Sequence, residues 1–393
     1  MKIIHLLSTL NPGGIGNFVS DLCNPAITSP NIEFVIAYTQ GSGDLEQKFQ
    51  KQGLEIIPCL KRAFFNTKLP YRVNKIIRNI ENRFFFLKVY KLLKKEKPDI
   101  VHSHEHGSSI NHVLFACCLV RVKFIIHIHS PSSNYFKEGL NCQIFKLLLR
   151  DSDRILAVSQ GAMNHYNELL NHCSKNIIII PNGIKDLMPR RIETKNKIER
   201  DLGIPQNSFI LGFIGRLIPE KNVETLIQSF ADLLLKGHDF YLIVVGEDAH
   251  RLVLENLVME LTIKGRVFFI GKVSNPEYWI NSFDINILPS RYEGFPITVL
   301  EAFSKNIIMV ASNVVGTNSI IKNKVNGFLF GLGNCNELSE IIKEIYSNRE
   351  LKERIEDRAR FDFLENYEIK KIIKHFEQCY RGMFIARDGN NGA

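Results

Sequence analysis

Two doubly wound α/β units are the fold that this sequence of 393 residues predicts. Short apolar runs, rich in Ile and Val, alternate with helical patterns along the chain, which is typical of parallel strands covered by helices on both faces. Each half also begins with a strand, a glycine-containing loop and a helix, KIIHLLSTLNPGGIGNFVSDL and FILGFIGRLIPEKNVETLIQSF. A chain of this length is expected to form about two or three domains.

The predicted strands follow one another in order. They are KIIHLL, IEFVIAYT, LEIIPCL, DIVHSH, FIIHIHS, RILAVS and NIIIIPNG in the first half, then FILGFIG, YLIVVG, VFFIG, INILPS, IIMVAS and GFLF. The segment 187–205 loses this pattern and is rich in charge, which indicates a linker. We therefore predict a first domain over 1–186, a second over 206–365, a helix over 366–385 that packs on the first domain, and a disordered tail over 386–393.

The composition, 45% hydrophobic and 23% charged, is typical of a soluble globular protein. The longest unbroken apolar run, around 113–120, is far shorter than the roughly 18 residues that a membrane span needs. The start, MKIIHLLSTLNPGG, resembles a buried strand more than a signal peptide. The eight cysteines include no CxxC pair, so neither a zinc site nor a disulfide framework is indicated. We expect a cytoplasmic protein.

The net charge of +9 has one main source, because the segment 61–97 has twelve basic and two acidic residues and a net charge of +10. Aromatic and aliphatic residues are interleaved with these charges, a mixture suited to an anionic membrane surface. An ordinary helix pair with a solvated basic face is the alternative, and charge patterning alone does not choose between them. Nucleic acid ranks lower, because no binding motif accompanies the charge.

Two carboxylates flank a Gly-Phe-Pro turn in SRYEGFPITVLE, residues 290–301. Pro296 suits the first turn of a helix, so Glu293 is predicted in the loop before that helix and Glu301 inside it. The free N–H groups and the positive dipole at the helix start favour an anion such as a phosphate. Ionised carboxylates accept hydrogen bonds from sugar hydroxyls. The stretch therefore predicts a site for a nucleotide sugar.

The loop after FILGFIG carries two cations, Arg216 and Lys221, close to a helix start. Ligands of open α/β sheets bind outside the carboxyl ends of the strands. Two cations there can clamp a diphosphate and offset the charge that develops as a glycosyl bond breaks. The alternative is that both cations pair with nearby acids such as Glu220.

The loop after the first strand, PGGIG at 12–16, can bring its backbone close to a ligand. It is not a Walker loop, because no Lys-Ser/Thr follows, and it lacks the G-x-G-x-x-G spacing. The second strand ends in Tyr38-Thr39-Gln40 without the acid that binds a nicotinamide ribose. A dinucleotide-dependent dehydrogenase is therefore disfavoured.

Histidines occur in two groups, DIVHSHEH with His102, His104 and His106, and FIIHIHS with His127 and His129. Alternate residues of a strand share a face, so the members of each group are predicted to project together. His-x-His is a known spacing of metal ligands. Buried or hydrogen-bonded histidine is commoner, so the sequence favours no metal site and one histidine near a reacting sugar.

Together these loops resemble the retaining GT-B glycosyltransferases of the large family that includes bacterial mannosyltransferases, sucrose synthase and many capsule and O-antigen transferases. The family marker is a Glu, seven residues and a second Glu, which here is Glu293-GFPITVL-Glu301 after LPS. Further matches are GRLIPEKN, IIPNGI at 179–184, AVSQ at 157–160 and VNGFLF at 325–330. The resemblance covers nearly the whole chain, and it implies two Rossmann-like domains that face each other across a cleft.

The resemblance also implies a role for each matching residue. Glu301 would bind the ribose hydroxyls of the donor, and Glu293 those of its sugar. Arg216 and Lys221 would bind the diphosphate, and with Glu293 and His129 they form the predicted catalytic set.

Other positions complete the implied donor site. The main-chain N–H groups after Gly294 would cap the diphosphate, and Phe295 and Pro296 belong to the same implied donor site. Gly14 would approach the diphosphate from the other domain, and the loop of Val273 would bind the base. His129 would lie beside the transferred sugar. Neither a metal ion nor another cofactor is expected, because the two cations stabilise the leaving diphosphate.

The chain departs from the family pattern in two loops. VGTNS at 315–319 stands where the family often has Gly-Gly-x-x-Glu, so an acid that helps to order the donor loop is missing. Gly16-Asn17 stands where many members have an acid or a bulkier polar residue. The first departure affects the expected donor contacts, and the second affects the acceptor contacts.

The resemblance implies a hexosyltransferase that retains the anomeric configuration. The donor would be a nucleoside diphosphate sugar, with UDP slightly favoured. The acceptor would be a glycan or lipid-linked glycan of bacterial envelope polysaccharide synthesis, bound by the first domain at the inner face of the membrane. The alternatives are a non-catalytic nucleotide-sugar-binding subunit, which has no need for an intact catalytic set, and a nucleotide-sugar epimerase or hydrolase on the same fold.

Overall fold

The computed structural model describes residues 1–11, 13–59, 71–104, 109–129, 140–169, 177–189 and 192–385. It divides into two compact units. The first unit contains Met1–Asn182 and the chain from Ile369 on, and the second contains Gly183–Glu368. The predicted tail over 386–393 lies outside the described residues.

Seven parallel strands form the sheet of the first unit in the described part of the chain. They are β1 Lys2–Thr9, β2 Glu33–Gly41, β3 Glu55–Pro58, β4 Ile100–Ser103, β5 Lys123–Ile128, β6 Arg154–Ala157 and β7 Ile177–Ile179. The helices between them are α1 Gly14–Leu22, α2 Leu45–Lys51, α3 Tyr71–Glu96, α4 Ile110–Val120, α5 Leu140–Leu148 and α6 Gln160–Leu169. The strand order is β3-β2-β1-β4-β5-β6-β7.

The second unit has a parallel sheet of six strands among the described residues. They are β8 Phe209–Ile214, β9 Phe240–Val245, β10 Val267–Gly271, β11 Ile285–Leu288, β12 Ile308–Ser312 and β13 Phe328–Phe330. The helices are α7 Ile192–Leu202, α8 Val223–Leu235, α9 Arg251–Glu260, α10 Pro276–Ile280, α11 Ile297–Ser304, α12 Cys335–Ser347 and α13 Arg349–Asn366. The strand order is β10-β9-β8-β11-β12-β13. The predicted fold class is confirmed.

Each sheet has one point at which the strand order reverses. In the first unit β1 lies between β2 and β4, and in the second unit β8 lies between β9 and β11. At such a point the loops on the two sides diverge and leave a crevice at the carboxyl ends of the strands. The loops after β1, β4, β8 and β11 are therefore where ligand chemistry is expected.

The last helix, α14 Ile369–Ile385, returns to the first unit. Phe376 and Tyr380 of α14 are fully buried, and Phe18 of α1 is 2% exposed. These rings belong to one apolar cluster with Ile3 and Ile36 of the central strands. α1 and α14 thus cover the same region of the sheet.

The structure corrects the predicted linker over 187–205. Helix α7 lies inside this segment and belongs to the second unit, where Ile198 and Ile204 are part of the buried core. Helix α7 also forms an ion pair with the rest of the unit, since Lys195 Nζ lies 2.6 Å from Asp284 Oδ2. The segment is rich in charge because one face of an amphipathic helix is polar.

None of the helices in the described part of the chain is long and apolar enough to cross a membrane. Residues 61–70 of the basic segment lie outside the described residues, as do the side chains of residues 71–80. Large apolar side chains are exposed on the described surfaces of α3 and α4. They are Phe84, Leu87, Phe115 and Leu119, at 63, 47, 43 and 54%.

Candidate active site

The loops after β8 and β11 are joined by hydrogen bonds at the reversal point of the second sheet. The main-chain N–H of Arg291 donates to the carbonyl oxygen of Glu220 at 2.8 Å. The side chain of Asn222 donates to the carbonyl oxygen of Pro289 at 3.2 Å and accepts from Arg291 Nη2 at 2.9 Å. The two loops therefore form one structural element, although about 70 residues separate them along the chain.

Lys221 and Glu293 form an ion pair between these loops. Lys221 Nζ lies 2.6 Å from Glu293 Oε1, and Ser290 Oγ donates to the same oxygen at 2.6 Å. Glu293 is only 8% exposed, and a buried carboxylate is stable only when it is paired and hydrogen-bonded. The alternative interpretation of the sequence paired Lys221 with a nearby acid such as Glu220. In the structure Lys221 pairs with Glu293.

Arg216 follows β8 and is exposed. Within the described residues its guanidinium forms neither an ion pair nor a side-chain hydrogen bond. The loop therefore combines one cation held by a carboxylate with a second cation whose fork of N–H donors faces solvent. A guanidinium of this kind is well suited to bind phosphate oxygens in a bidentate manner.

Helix α11 begins immediately after Glu293-Gly294-Phe295, with Pro296 as its N-cap residue. Its first N–H groups have no intrahelical acceptor, which favours an anion at this end. Phe295 is buried, at 8% exposure, and its ring centroid lies 6.0 Å from that of Tyr367. The packing of Phe295 fixes the path of the loop between Glu293 and the helix.

The Glu301 side chain lies one turn before the end of α11 and is partly buried. No described residue donates a hydrogen bond to its carboxylate or forms an ion pair with it. Burial, followed by the nearby negative charge of Glu277, raises the pKa of Glu301 to about 7. A carboxylate in this state gains most from hydroxyl donors that stabilise its charged form.

Gly316 supports the Glu293 loop from behind, a role that the sequence did not indicate. A Cβ atom at Gly316 would lie 2.4 Å from the main-chain oxygen of Glu293 and 2.8 Å from its Cβ. Only glycine permits this approach. The sequence analysis noted 315–319 only as a departure from a family pattern. In the structure, Gly316 within this segment allows it to lie against Glu293.

Val273 lies in the loop after β10, partly buried against the core of the second unit. Gly14 begins α1 in the first unit and is exposed. His129, which follows β5, is 7% exposed. The predicted roles of Val273, Gly14 and His129 towards a donor stay predictions.

The structure gathers five buried histidines in the first unit, here called the histidine cluster: His5, His102, His104, His127 and His129. His5 Nδ1 lies 2.9 Å from His104 Nε2, and His104 Nδ1 lies 2.9 Å from His129 Nε2. The sequence reading missed His5, because it is a single histidine in KIIHLL. The parallel register places His5 of β1 directly beside His102 of β4. His106 lies outside the described residues.

Three members of the histidine cluster, His5, His102 and His104, are uncharged. Burial lowers the pKa of His5 to about 3, and burial together with the neighbouring imidazoles lowers the pKa of His102 and His104 well below the usual range. The rings of Phe18 and Phe376 pack on the histidines from α1 and α14.

Two features of the molecule define the class of protein. A parallel Rossmann-like sheet carries two cations and a helix start beside a pair of carboxylates, and a second Rossmann-like sheet precedes it. Two Rossmann-like units in one chain, with candidate ligand groups after the strands of the second, are typical of the GT-B fold.

Two family profiles match the chain, "Glycosyltransferase Family 4" over residues 12–186 and "Glycosyl transferases group 1" over residues 194–362. The chain therefore belongs to the glycosyltransferases that these profiles describe.

Curated relatives and a solved structure agree with this assignment. The chain is 25% identical to N-acetyl-alpha-D-glucosaminyl L-malate synthase of Bacillus anthracis, over 90% of this chain and 96% of the relative. It is 26% identical to the UDP-Gal:alpha-D-GlcNAc-diphosphoundecaprenol alpha-1,3-galactosyltransferase of Escherichia coli, over 82% and 84%. The crystal structure of Anabaena Alr3699/HepE in complex with UDP has a TM-score of 0.82 at 18% identity, covering 97% of this chain and 100% of that chain. HepE has also been solved with UDP-glucose.

Proposed function

We propose that this glycosyltransferase moves a hexosyl group from a nucleoside diphosphate sugar to a hydroxyl of a lipid-linked glycan in bacterial envelope polysaccharide synthesis, with retention of the anomeric configuration. The observation that carries the proposal is the joined pair of loops after β8 and β11. There Lys221 and Ser290 hold Glu293 at the start of α11, and Arg216 faces solvent.

Each group in these loops has a place in donor binding. Glu301 accepts hydrogen bonds from the ribose hydroxyls, which compensates the cost of its partly buried charge. Arg216, Lys221 and the first amides of α11 bind the diphosphate. Glu293, fixed by Lys221 and Ser290, accepts hydrogen bonds from the donor sugar.

The transfer step breaks the bond between the anomeric carbon and the diphosphate oxygen. The acceptor oxygen forms its new bond to that carbon on the same face, and its proton passes to the departing diphosphate oxygen. Negative charge therefore develops on the diphosphate, where Arg216 and Lys221 stabilise it. Removing one such donor typically costs about 3 kcal/mol of transition-state stabilisation. This account requires no metal ion in the donor site.

UDP is the proposed nucleotide, because HepE has the same fold and was solved with UDP and UDP-glucose. The test is the thermal midpoint of the purified protein with UDP-, GDP-, ADP- and dTDP-sugars, with EDTA present throughout. A ligand at about 100 times its Kd stabilises the native state by about 2.7 kcal/mol. A midpoint that rises with UDP-sugars alone supports the proposal. A midpoint that rises with none of the four would overturn it.

A lipid-linked acceptor is proposed from two observations. The Escherichia coli relative is named for an acceptor on diphosphoundecaprenol. The exposed Phe84 and Leu87 lie on α3, a helix that also carries Lys88, Lys91, Lys94 and Lys95. Apolar side chains flanked by lysines suit an anionic bilayer surface.

Vesicle sedimentation tests the membrane part of the proposal. The protein should sediment with phosphatidylglycerol vesicles, less so as salt rises. Replacing both Phe84 and Leu87 by Ala should reduce binding several-fold. Leu235→Ala is the matched control, because Leu235 is 88% exposed in the second unit. Equal binding by the double variant and the control would contradict a docking role for α3.

A further inference from the structure

We propose that His5, His102 and His104 bind a divalent transition-metal ion of the zinc type. The three side chains come from β1 and from the end of β4, at the reversal point of the first sheet. They are all nearly or fully buried, at 0, 0 and 4% exposure.

The distances suit a common ion. One ring nitrogen from each of the three histidines lies within 4.8 Å of those of the other two. His5 Nδ1 and His104 Nε2 are 2.9 Å apart, whereas two imidazole nitrogens on one tetrahedral zinc are about 3.3 Å apart. A shift of a few tenths of an ångström is therefore enough to place both nitrogens on one ion.

Two ring nitrogens in this group are buried and have no hydrogen-bond partner among the described residues. They are His5 Nε2 and His102 Nε2. Polar atoms buried without a partner cost roughly 1–3 kcal/mol each. Such atoms in a native structure call for a ligand or another explanation, and coordination of His102 Nε2 removes one of the two.

A histidine that binds a metal through one ring nitrogen usually makes a hydrogen bond with the other. Tyr380 of α14 is the partner for such a hydrogen bond. Its hydroxyl lies 2.8 Å from His102 Nδ1. When Nδ1–H donates to this hydroxyl, Nε2 presents its lone pair to the ion. The pairing thus selects the tautomer of His102 that binds a metal.

His104 links the proposed site to His129. With Nε2 on the ion, His104 carries its proton on Nδ1, which lies 2.9 Å from His129 Nε2. His104 then donates to His129 Nε2. A role of this hydrogen bond in sugar transfer rests on the proposed function, because it requires His129 to lie beside the sugar. Metal binding itself does not depend on that function.

The sequence favoured no metal, because a buried or hydrogen-bonded histidine is commoner than a metal ligand. The fold changes this by adding His5 to His102 and His104, since three histidines and a water are a known zinc set. His104, His127 and His129 form a second group of similar size. We assign the ion to the first group because the Tyr380 contact orients His102 for coordination.

The test is metal binding by the full chain, prepared without a polyhistidine tag and stripped with chelator. Zinc is returned by dialysis and measured by mass spectrometry, and cobalt is used for its visible absorption spectrum. We expect one zinc per chain and a tetrahedral cobalt spectrum. His5→Gln and His102→Gln should each weaken zinc binding at least tenfold. Tyr380→Phe should weaken it about tenfold.

Two variants serve as controls. His127→Gln removes a buried histidine of the same cluster, and His250→Gln removes a histidine of the second unit; both should bind zinc as the unaltered protein does. Wild-type protein that binds no more zinc than His102→Gln would overturn the proposal. Loss of zinc in His127→Gln with full binding in His102→Gln would overturn it too. If the His5 and His102 variants fail to fold by circular dichroism, the wild-type cobalt spectrum and Tyr380→Phe decide.

Discussion

In the first unit, uncharged imidazole rings line the point between β1 and β4 where the strand order reverses. The corresponding point in the second unit, between β8 and β11, carries two cations and two carboxylates instead. Both sheets are parallel and have the same order of strands around that point. The chemistry at the two points differs because different side chains follow equivalent strands. A shared topology therefore places a site without determining what the site binds.

Burial explains why the two regions differ in charge. Aromatic rings from α1 and α14 cover the histidine cluster, and neutral imidazole is the stable form there. In the second unit Arg216 is exposed and Lys221 has 21% of its side chain exposed, so their charges remain stable in the absence of an anion. The first region therefore suits a metal ion that is bound by neutral nitrogen atoms, and the second region suits phosphate.

The largest effect is expected from Lys221→Ala in the second unit. Loss of this cation should lower the transfer rate about 100- to 1000-fold, because the leaving diphosphate loses a charged donor. Steady-state transfer assays measure the effect. Lys236→Ala is the matched control, since Lys236 forms an exposed pair with Asp232 on the same unit, and its rate should stay within twofold of wild type. Equal rates for the two variants would remove Lys221 from the mechanism.

Gly316→Ala should have the next largest effect, with a loss of about 10- to 100-fold in donor affinity. Its new Cβ atom would push the main chain of Glu293 and displace the carboxylate from Lys221 and Ser290. Gly265→Ala is the control, because a Cβ atom there meets nothing within 4 Å. Calorimetric titration with the donor measures both variants. Unchanged affinity in Gly316→Ala would mean that the position of Glu293 is not needed for binding.

A pH dependence follows from Glu301, whose pKa is raised to about 7. Donor affinity should fall about tenfold for each pH unit below 7, because only the charged carboxylate accepts two hydroxyl donors. Glu301→Gln should make the affinity nearly independent of pH in this range. Glu277→Gln removes the nearby charge and should move the transition to lower pH. A transition that stays in place without Glu301 would assign it to another group.

The same group affects stability with a defined sign. Its native pKa of about 7 lies above the ordinary glutamate value of 4.5, so the native state holds more protons than the unfolded state between these two pH values. The free energy of unfolding should therefore fall as pH rises from about 4.5 to 7, by up to about 3 kcal/mol. Denaturant titration of wild type and Glu301→Gln over this range measures the difference. Identical pH profiles would contradict a raised pKa.

The smallest effect is expected in the first unit. Tyr380→Phe removes the hydroxyl beside His102 Nδ1 and should lower the free energy of unfolding by about 1 kcal/mol. Donor affinity should not change, because the donor loops belong to the second unit. Denaturant unfolding and donor titration of one preparation provide both values. A change in donor affinity would mean that the two regions are not independent.

Much of the fold was predictable, because buried parallel strands have a strong local signature. The apolar runs of Ile and Val correspond to all thirteen strands of the described chain. The helix over Ile192–Leu202 was missed, because one charged face dominates its composition and Ile198 is one of few apolar residues that mark the buried face. Local composition is a poor guide where an amphipathic helix is short.

The candidate site was predictable residue by residue but not in its contacts. Glu293, Lys221 and Arg216 stand in loops after strands, which sequence order reveals. The pairing of Lys221 with Glu293 spans 72 residues, and the contact of Gly316 with Glu293 depends on the neighbouring strand β12. His5 likewise lies beside His102 only because of the register between β1 and β4. Such long-range geometry has no signature in the local sequence.

Retaining sugar transfer is the central claim, and the anomeric configuration of the product tests it most directly. The donor identified by thermal stabilisation is mixed with N-acetylglucosaminyl diphosphate on a short lipid, and the product is followed by proton NMR from the first turnovers. An α-linked product from an α-configured donor is the predicted result. A β-linked product would contradict retention, and release of free sugar without a glycoside would contradict transfer itself.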